Sequence, residues 1–126
     1  MDSIYDALNA DGKARIIQEL VPGKQITLAH VIANPDPVLY QKLGLDPAAD
    51  YKTSAIGIIT LSPAETAIIA GDIATKASGA ELGFVDRFSG TLIVVGSVSQ
   101  IESAVEAVCT YVKNVLGFTV CPITKT

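Results

Sequence analysis

Tryptophan is absent from this 126-residue chain, methionine occurs once, histidine once and cysteine only twice. One histidine leaves no room for a His-rich metal site. Cys109 and Cys121 lack the spacing of a metal-ligand pair, so they read as reduced, small apolar residues rather than as a disulfide. Charge is also scarce: 17% of residues are charged, against about a quarter in an ordinary soluble domain. The nine basic residues are scattered and outnumbered by thirteen acidic ones, for a net charge of −4. No basic stripe exists to release counterions from nucleic acid. No run of 18 apolar residues offers a membrane span. The acidic start, Met1-Asp-Ser-Ile-Tyr-Asp, lacks the basic region and apolar core of an export signal, so a cytoplasmic protein is expected.

Catalytic sets are missing as well. His30 falls inside an apolar segment and reads as a structural histidine. Asp36, Asp46, Asp50 and Asp72 are not paired at a ligand spacing, and Asp72 reads as an exposed or salt-bridged helix residue. The glycines at 71, 79, 83, 90, 96 and 117 form neither a dinucleotide fingerprint nor a P-loop. An enzyme is not expected, and no catalytic residue, metal or cofactor is assigned.

What is present is apolar, at 49% of the chain, in one domain's worth of sequence. Poverty in charge with this much apolar character predicts self-association. Residues 1–14 read as a tail, in which Ile4 and Leu8 could share one face of a short helix. Residues 15–21 form a short strand candidate ended by Pro22-Gly23. From Gln25, alternation places Ile26, Leu28, His30 and Ile32 on one strand face. Asp36 and Pro37 open a short helix that Gly44 stops. Ala55-Ile-Gly-Ile-Ile-Thr-Leu61 reads as a central strand covered on both faces.

A helix then follows, with Ser62 as cap, Pro63 at its first position, Glu65 completing a capping box and Gly79 as stop. Ile69, Ile73 and Ala77 repeat along it at steps of four, and Ala67, Ala70 and Ala74 are small enough for close packing. Gly83-Phe-Val-Asp-Arg-Phe-Ser-Gly-Thr-Leu-Ile-Val-Val-Gly96 reads as a hairpin turning at Ser89-Gly90, with Arg87 and Phe88 at the tip. Ser99 to Glu102 opens a last helix, with Ile101, Val105, Val108, Val112 and Val115 on its buried face. Gly117 ends it before a final strand candidate from Phe118 onward. From Ala55 the order is β-α-β-β-α-β. The predicted class is therefore α+β, a ferredoxin-like antiparallel sheet with helices on one face.

Ala55-Ile-Gly-Ile, Asp72-Ile-Ala-Thr-Lys-Ala77, Asp86-Arg-Phe-Ser-Gly90 and Gly96-Ser-Val-Ser-Gln-Ile-Glu-Ser-Ala104, in this order and spacing, resemble the bacterial microcompartment (BMC) shell domain. The preceding residues 15–35 resemble its circularly permuted branch, found with propanediol- and ethanolamine-utilising compartments. The resemblance implies a structural subunit that forms homohexamers. These would tile with other shell proteins around encapsulated enzymes of an ethanolamine, propanediol or choline pathway. It implies that Arg87, Phe88, Ser89 and Gly90 lie near the six-fold axis and that Lys76 sits at the hexamer edge. It further implies that Arg15, Ile16, Ile17, Gln18, Glu19, Leu20 and Val21 join an oligomeric β-barrel over that axis. A soluble ring-forming regulatory or ligand-binding module is the alternative.

Overall fold

The computed structural model describes residues 23–45 and 54–126. The predicted tail and the barrel strand at residues 15–21 lie outside them. Strand β1 (Gln25–Ile32), helix α1 (Val38–Lys42), β2 (Ala55–Ser62), α2 (Thr66–Ser78), β3 (Glu81–Asp86), β4 (Thr91–Gly96), α3 (Val98–Asn114), β5 (Thr119–Val120) and β6 (Thr124–Lys125) follow in chain order. They build one six-stranded sheet ordered β3-β4-β2-β1-β5, with β6 also pairing β1. The pairings among β1, β2, β3 and β4 are antiparallel, whereas β5 and β6 run parallel to β1.

The continuously apolar β2 is the middle strand, as its composition predicts. Its Ala55, Ile59 and Leu61 join Leu92 and Val94 of β4 under the two long helices. Ile56 points the other way and packs with Ile93, Val95, Tyr40 and Leu45. Tyr40 is tied down by its hydroxyl, which donates to the Ser54 carbonyl at 2.6 Å. The sheet face opposite the long helices is thus partly covered by α1, so the helices are not confined to one face. Gly57 allows α3 to lie close: a Cβ there would come within 2.9 Å of Ile101 and 3.0 Å of Val94.

Several local expectations are corrected. In β1 the buried residues are Ile26, Ala29 and Val31, and Leu28 is exposed. A bulge between Ile26 and Leu28 inserts a residue and reverses the alternation midway along the strand. Ser62 does not cap α2, because it is paired with Gln25 at the end of β2. Pro63 and Glu65 instead belong to a backbone turn leading into the helix, which has no side-chain cap. Gly79 stops α2 in the left-handed conformation, as expected. For α3 the cap is Ser97 rather than Ser99, and Gln100 completes the capping box. At α1 the cap position is Pro37 rather than Asp36, though the Asp36 carboxylate still accepts from the Val38 N–H at 3.1 Å.

Helix α2 packs through its small residues, as Ala67, Ala70 and Ala74 predict. Thr66, Ala67, Ala70, Gly71 and Ala74 are its buried residues, while Ile68 and Ile69 are exposed and Ile73 is half-buried. Small residues let α2 approach α3 and the sheet closely, and this close packing prevails over burial of the larger side chains. Val115 is likewise exposed, beyond the end of α3.

Candidate functional site

The β3–β4 connection spans four residues, 87–90, and not a two-residue loop. Asp86 sets its shape. One carboxylate oxygen accepts from the Phe88 N–H at 2.9 Å, and the other accepts from the Ser89 hydroxyl at 2.8 Å. Aspartate bonding to backbone two residues on is a local turn device, and it competes with a tighter hairpin. The Phe88 N–H and the Ser89 hydroxyl hold the Asp86 carboxyl below its ordinary value of 3.8.

Gly90 closes the turn. Its φ of +75° is one that glycine adopts freely, and its N–H donates to the Asp86 carbonyl at 2.9 Å. Its carbonyl accepts from the Leu61 N–H at 2.8 Å, which welds the tip to the end of β2. A Cβ at Gly90 would collide with the Leu61 carbonyl oxygen and lie 3.1 Å from Ala64 Cα.

This rigid turn presents Phe88 to solvent, with 81% of its surface exposed. The Arg87 guanidinium lies 5.0 Å from the Phe88 ring centre, within cation–π range. Arg87, Phe88, Asp86, Val85 and Ile68 line an open hollow of about 390 Å³ beside the tip. Residues 87–90 are consecutive in this turn, and of them Arg87 and Phe88 line the hollow. Lys76 is elsewhere, in the last turn of α2, and its ammonium pairs with Asp72 at 2.9 Å. Both partners are largely exposed, so the pair leaves Lys76 accessible.

The hollow continues into a surface that sequence reasoning missed. β3 is an edge strand, and a register shift between Leu82 and Phe84 breaks its alternation. Leu82 and Val85, paired with Val94 and Leu92, are exposed on the sheet face that carries α2 with its exposed Ile68 and Ile69, and Phe84, paired with Ile93, is exposed on the opposite face. The exposed isoleucines follow from the alanine face of α2 being turned inward, the one signal the sequence did carry.

The remaining chemical candidates are accounted for internally. His30 bonds to two hydroxyls, Thr124 Oγ1 at 2.6 Å and Thr126 Oγ1 at 2.9 Å. Among the described residues no carboxylate bonds to it to orient it as a base. Burial pushes the Cys109 thiol from 9.0 up to about 11, and Cys121 adds to the effect, the opposite of an activated thiolate. Among the described residues no cluster of three or more His, Cys, Asp or Glu could hold a metal ion.

Comparison with known proteins gives these surfaces a context. The BMC domain matches residues 55–124. The chain is 52% identical over 112 residues to the bacterial microcompartment shell protein PduU of Salmonella typhimurium, covering 89% of this chain and 93% of that one. It is 50% identical over 113 residues to the shell protein EutS of Escherichia coli, covering 90% and 97%. Among solved structures, a CutR flat hexamer superposes with a TM-score of 0.76 at 48% identity, over 84% of this chain and 94% of that one. These relatives are structural shell proteins and not enzymes. A domain match over more than half the chain, with relatives this similar over nearly their whole length, shows that the chain belongs to the BMC-domain family of microcompartment shell proteins.

Proposed function

We propose that this protein is a non-enzymatic structural subunit of a catabolic microcompartment shell, built on a circularly permuted BMC domain and active as a homohexamer. The observation that carries the reading is the apolar edge at β3, where one chain leaves Leu82 and Val85 in water on the side of the exposed Ile68 and Ile69 of α2, and Phe84 on the other side. An edge strand with such side chains is an association surface. A heterologous contact repeated around an axis closes into a ring. The similarity to a CutR flat hexamer favours six copies.

The sheet order supports the permutation. In an unpermuted β-α-β-β-α-β sheet the last strand lies beside the first. Here β1, which precedes that run, takes the place next to β2 and pushes β5 outward. β1 begins opposite Ser62, one residue from the Leu61–Gly90 hydrogen bond. β1 thus starts beside the hairpin tip. This placement supports a tip at the six-fold axis, with Arg87, Phe88, Ser89 and Gly90 around it and residues 15–21 forming a barrel above. Lys76, exposed in the last turn of α2, is the tile-to-tile contact. Shell hexamers of this kind would enclose enzymes of an ethanolamine, propanediol or choline pathway in the cytoplasm, in company with other shell proteins.

The ring-forming regulatory module is the poorer reading, since the matched relatives are named as shell proteins. Native mass spectrometry with electron microscopy of concentrated protein tests the proposal. Six-fold rings that tile are expected. A monomer or dimer that never assembles would overturn it.

A further inference from the structure

The outer edge of β1 is closed by the chain's own C-terminus, and the closure is thin. Phe118 is buried and anchors the start of this segment, but residues 122–126 are all exposed. Backbone bonds hold it in two separated places. Near the start, the Thr119 N–H donates to the Lys24 carbonyl at 3.0 Å and the Cys121 N–H to the Ile26 carbonyl at 3.2 Å. At the end, the Thr126 N–H donates to the Val31 carbonyl at 2.9 Å and the Ala33 N–H to the Thr126 carbonyl at 2.8 Å. Between them Pro122 has no N–H to give, next to the stretch where β1 carries its bulge. The last residues thus have almost no apolar burial to hold them.

His30 adds side-chain bonds where β6 pairs with β1. Thr124 is its direct neighbour across the parallel pair, and Thr126 lies two residues further on the same face. Each ring nitrogen takes one of these hydroxyls. The Thr124 hydroxyl also lies 3.4 Å from the Ala29 carbonyl, to which it can donate when the ring carries its proton on Nδ1. One side chain of the covered strand therefore grips two residues of the covering segment. The exposed Lys125–Glu102 pair at 3.2 Å adds little.

We propose that residues 119–126 are a strap that closes the β1 edge against strand addition by a second copy of this chain, and that His30 is its latch. An open β1 would present a row of unpaired backbone groups at one side of the sheet, and every copy carries the same edge. The latch is separate from the apolar β3 edge at the opposite side of the sheet, so it stands whether or not the hexamer reading does.

Hydrogen exchange on the full chain, wild type against His30→Ala and His30→Gln, reads the latch directly. In His30→Ala the Ala33 and Thr126 amides should exchange about tenfold faster or more, since two side-chain hydrogen bonds are lost. The β2 and β4 amides should be unchanged, and His30→Gln, which can still hold one hydroxyl, should lie between. Deletion of residues 124–126 should then add species larger than the wild-type assembly in light scattering, with an intermolecular β-sheet band in the infrared. Unchanged Ala33 and Thr126 exchange in His30→Ala would overturn the latch. A deletion variant whose size distribution matches the wild type would overturn the edge-closing role.

Discussion

Gly90 is the residue on which the tip geometry turns, and three glycines of the same conformation allow its contribution to be dissected. Gly79, Gly90 and Gly117 have φ values of +73°, +75° and +75°. Alanine at any of them meets the left-handed penalty of roughly 1–2 kcal/mol, offset by about 0.4–1 kcal/mol because alanine restricts the unfolded chain. At Gly117 a Cβ meets nothing within 4 Å, and at Gly79 only a Gln100 side-chain nitrogen at 3.8 Å. Both variants should therefore cost about 1 kcal/mol. At Gly90 the Cβ runs into the Leu61 carbonyl and the Ala64 backbone, neither of which is the free end of a side chain. Relief requires the tip to part from β2, losing the Leu61–Gly90 hydrogen bond at about 1 kcal/mol and adding overpacking of about 1–3 kcal/mol. Gly90→Ala should thus cost about 2 kcal/mol or more beyond the other two, roughly a thirtyfold further loss in the folding equilibrium. Urea unfolding at one fixed protein concentration measures the difference, since assembly makes stability depend on concentration. If Gly90→Ala proves no costlier than Gly79→Ala, with the Leu61 amide as protected as in the wild type, the welded-tip argument fails.

Lys76→Glu should weaken tiling of the rings in electron micrographs while native mass spectra still show intact hexamers, because the side chain is exposed in the last turn of α2 and outside the hairpin turn. Loss of the hexamer would show that Lys76 is misassigned. Asp86 is held below 3.8 in the folded protein, so it contributes stability that is full above that value and lost as pH falls through the folded value. Urea titrations below pH 3.8 should show this loss in the wild type and a smaller one in Asp86→Asn. The Cys109 thiol, at about 11, should resist a neutral-pH thiol reagent in the native protein and react in urea, as scored by mass spectrometry of the labelled peptide. Rapid native labelling would refute its burial. Gly57→Ala should destabilise by about 1–3 kcal/mol, because its Cβ would press into Ile101, Val94 and Val105, and urea unfolding reads the loss.

How legible the fold was depends on whether a segment's partner lies nearby in sequence. β2 and α3 are given by their own patterns, a short apolar run and valines at helical spacing, and the structure places both as expected. The hairpin was legible as two strands. Its turn was not, because Asp86 spends both oxygens on Phe88 and Ser89 and lengthens the connection. Two caps were misassigned for a related reason. Ser97 and Ser99 each precede a suitable residue three positions on, and only the geometry selects Gln100 over Glu102, which turns to Lys125 instead. Ser62 carries a capping signature, but pairing with Gln25 claims it for the sheet.

Errors of phase had the larger functional consequence. In β1 and β3 a single extra residue shifts the register, and a one-residue slip exchanges the faces of a strand. Alternation along β1 therefore placed Leu28 with the core when it faces water. In α2 the isoleucines outweigh the alanines on any hydrophobicity scale, yet the alanines are buried because the neighbouring helix and sheet must come close. The BMC motifs pointed to Arg87, Phe88, Ser89, Gly90 and Lys76 as expected sites but were silent on the exposed Ile68, Ile69 and Phe84. An association surface is a residue set that intramolecular packing declines to bury. It becomes visible only after the core has been filled, and here the core is filled by the smaller side chains.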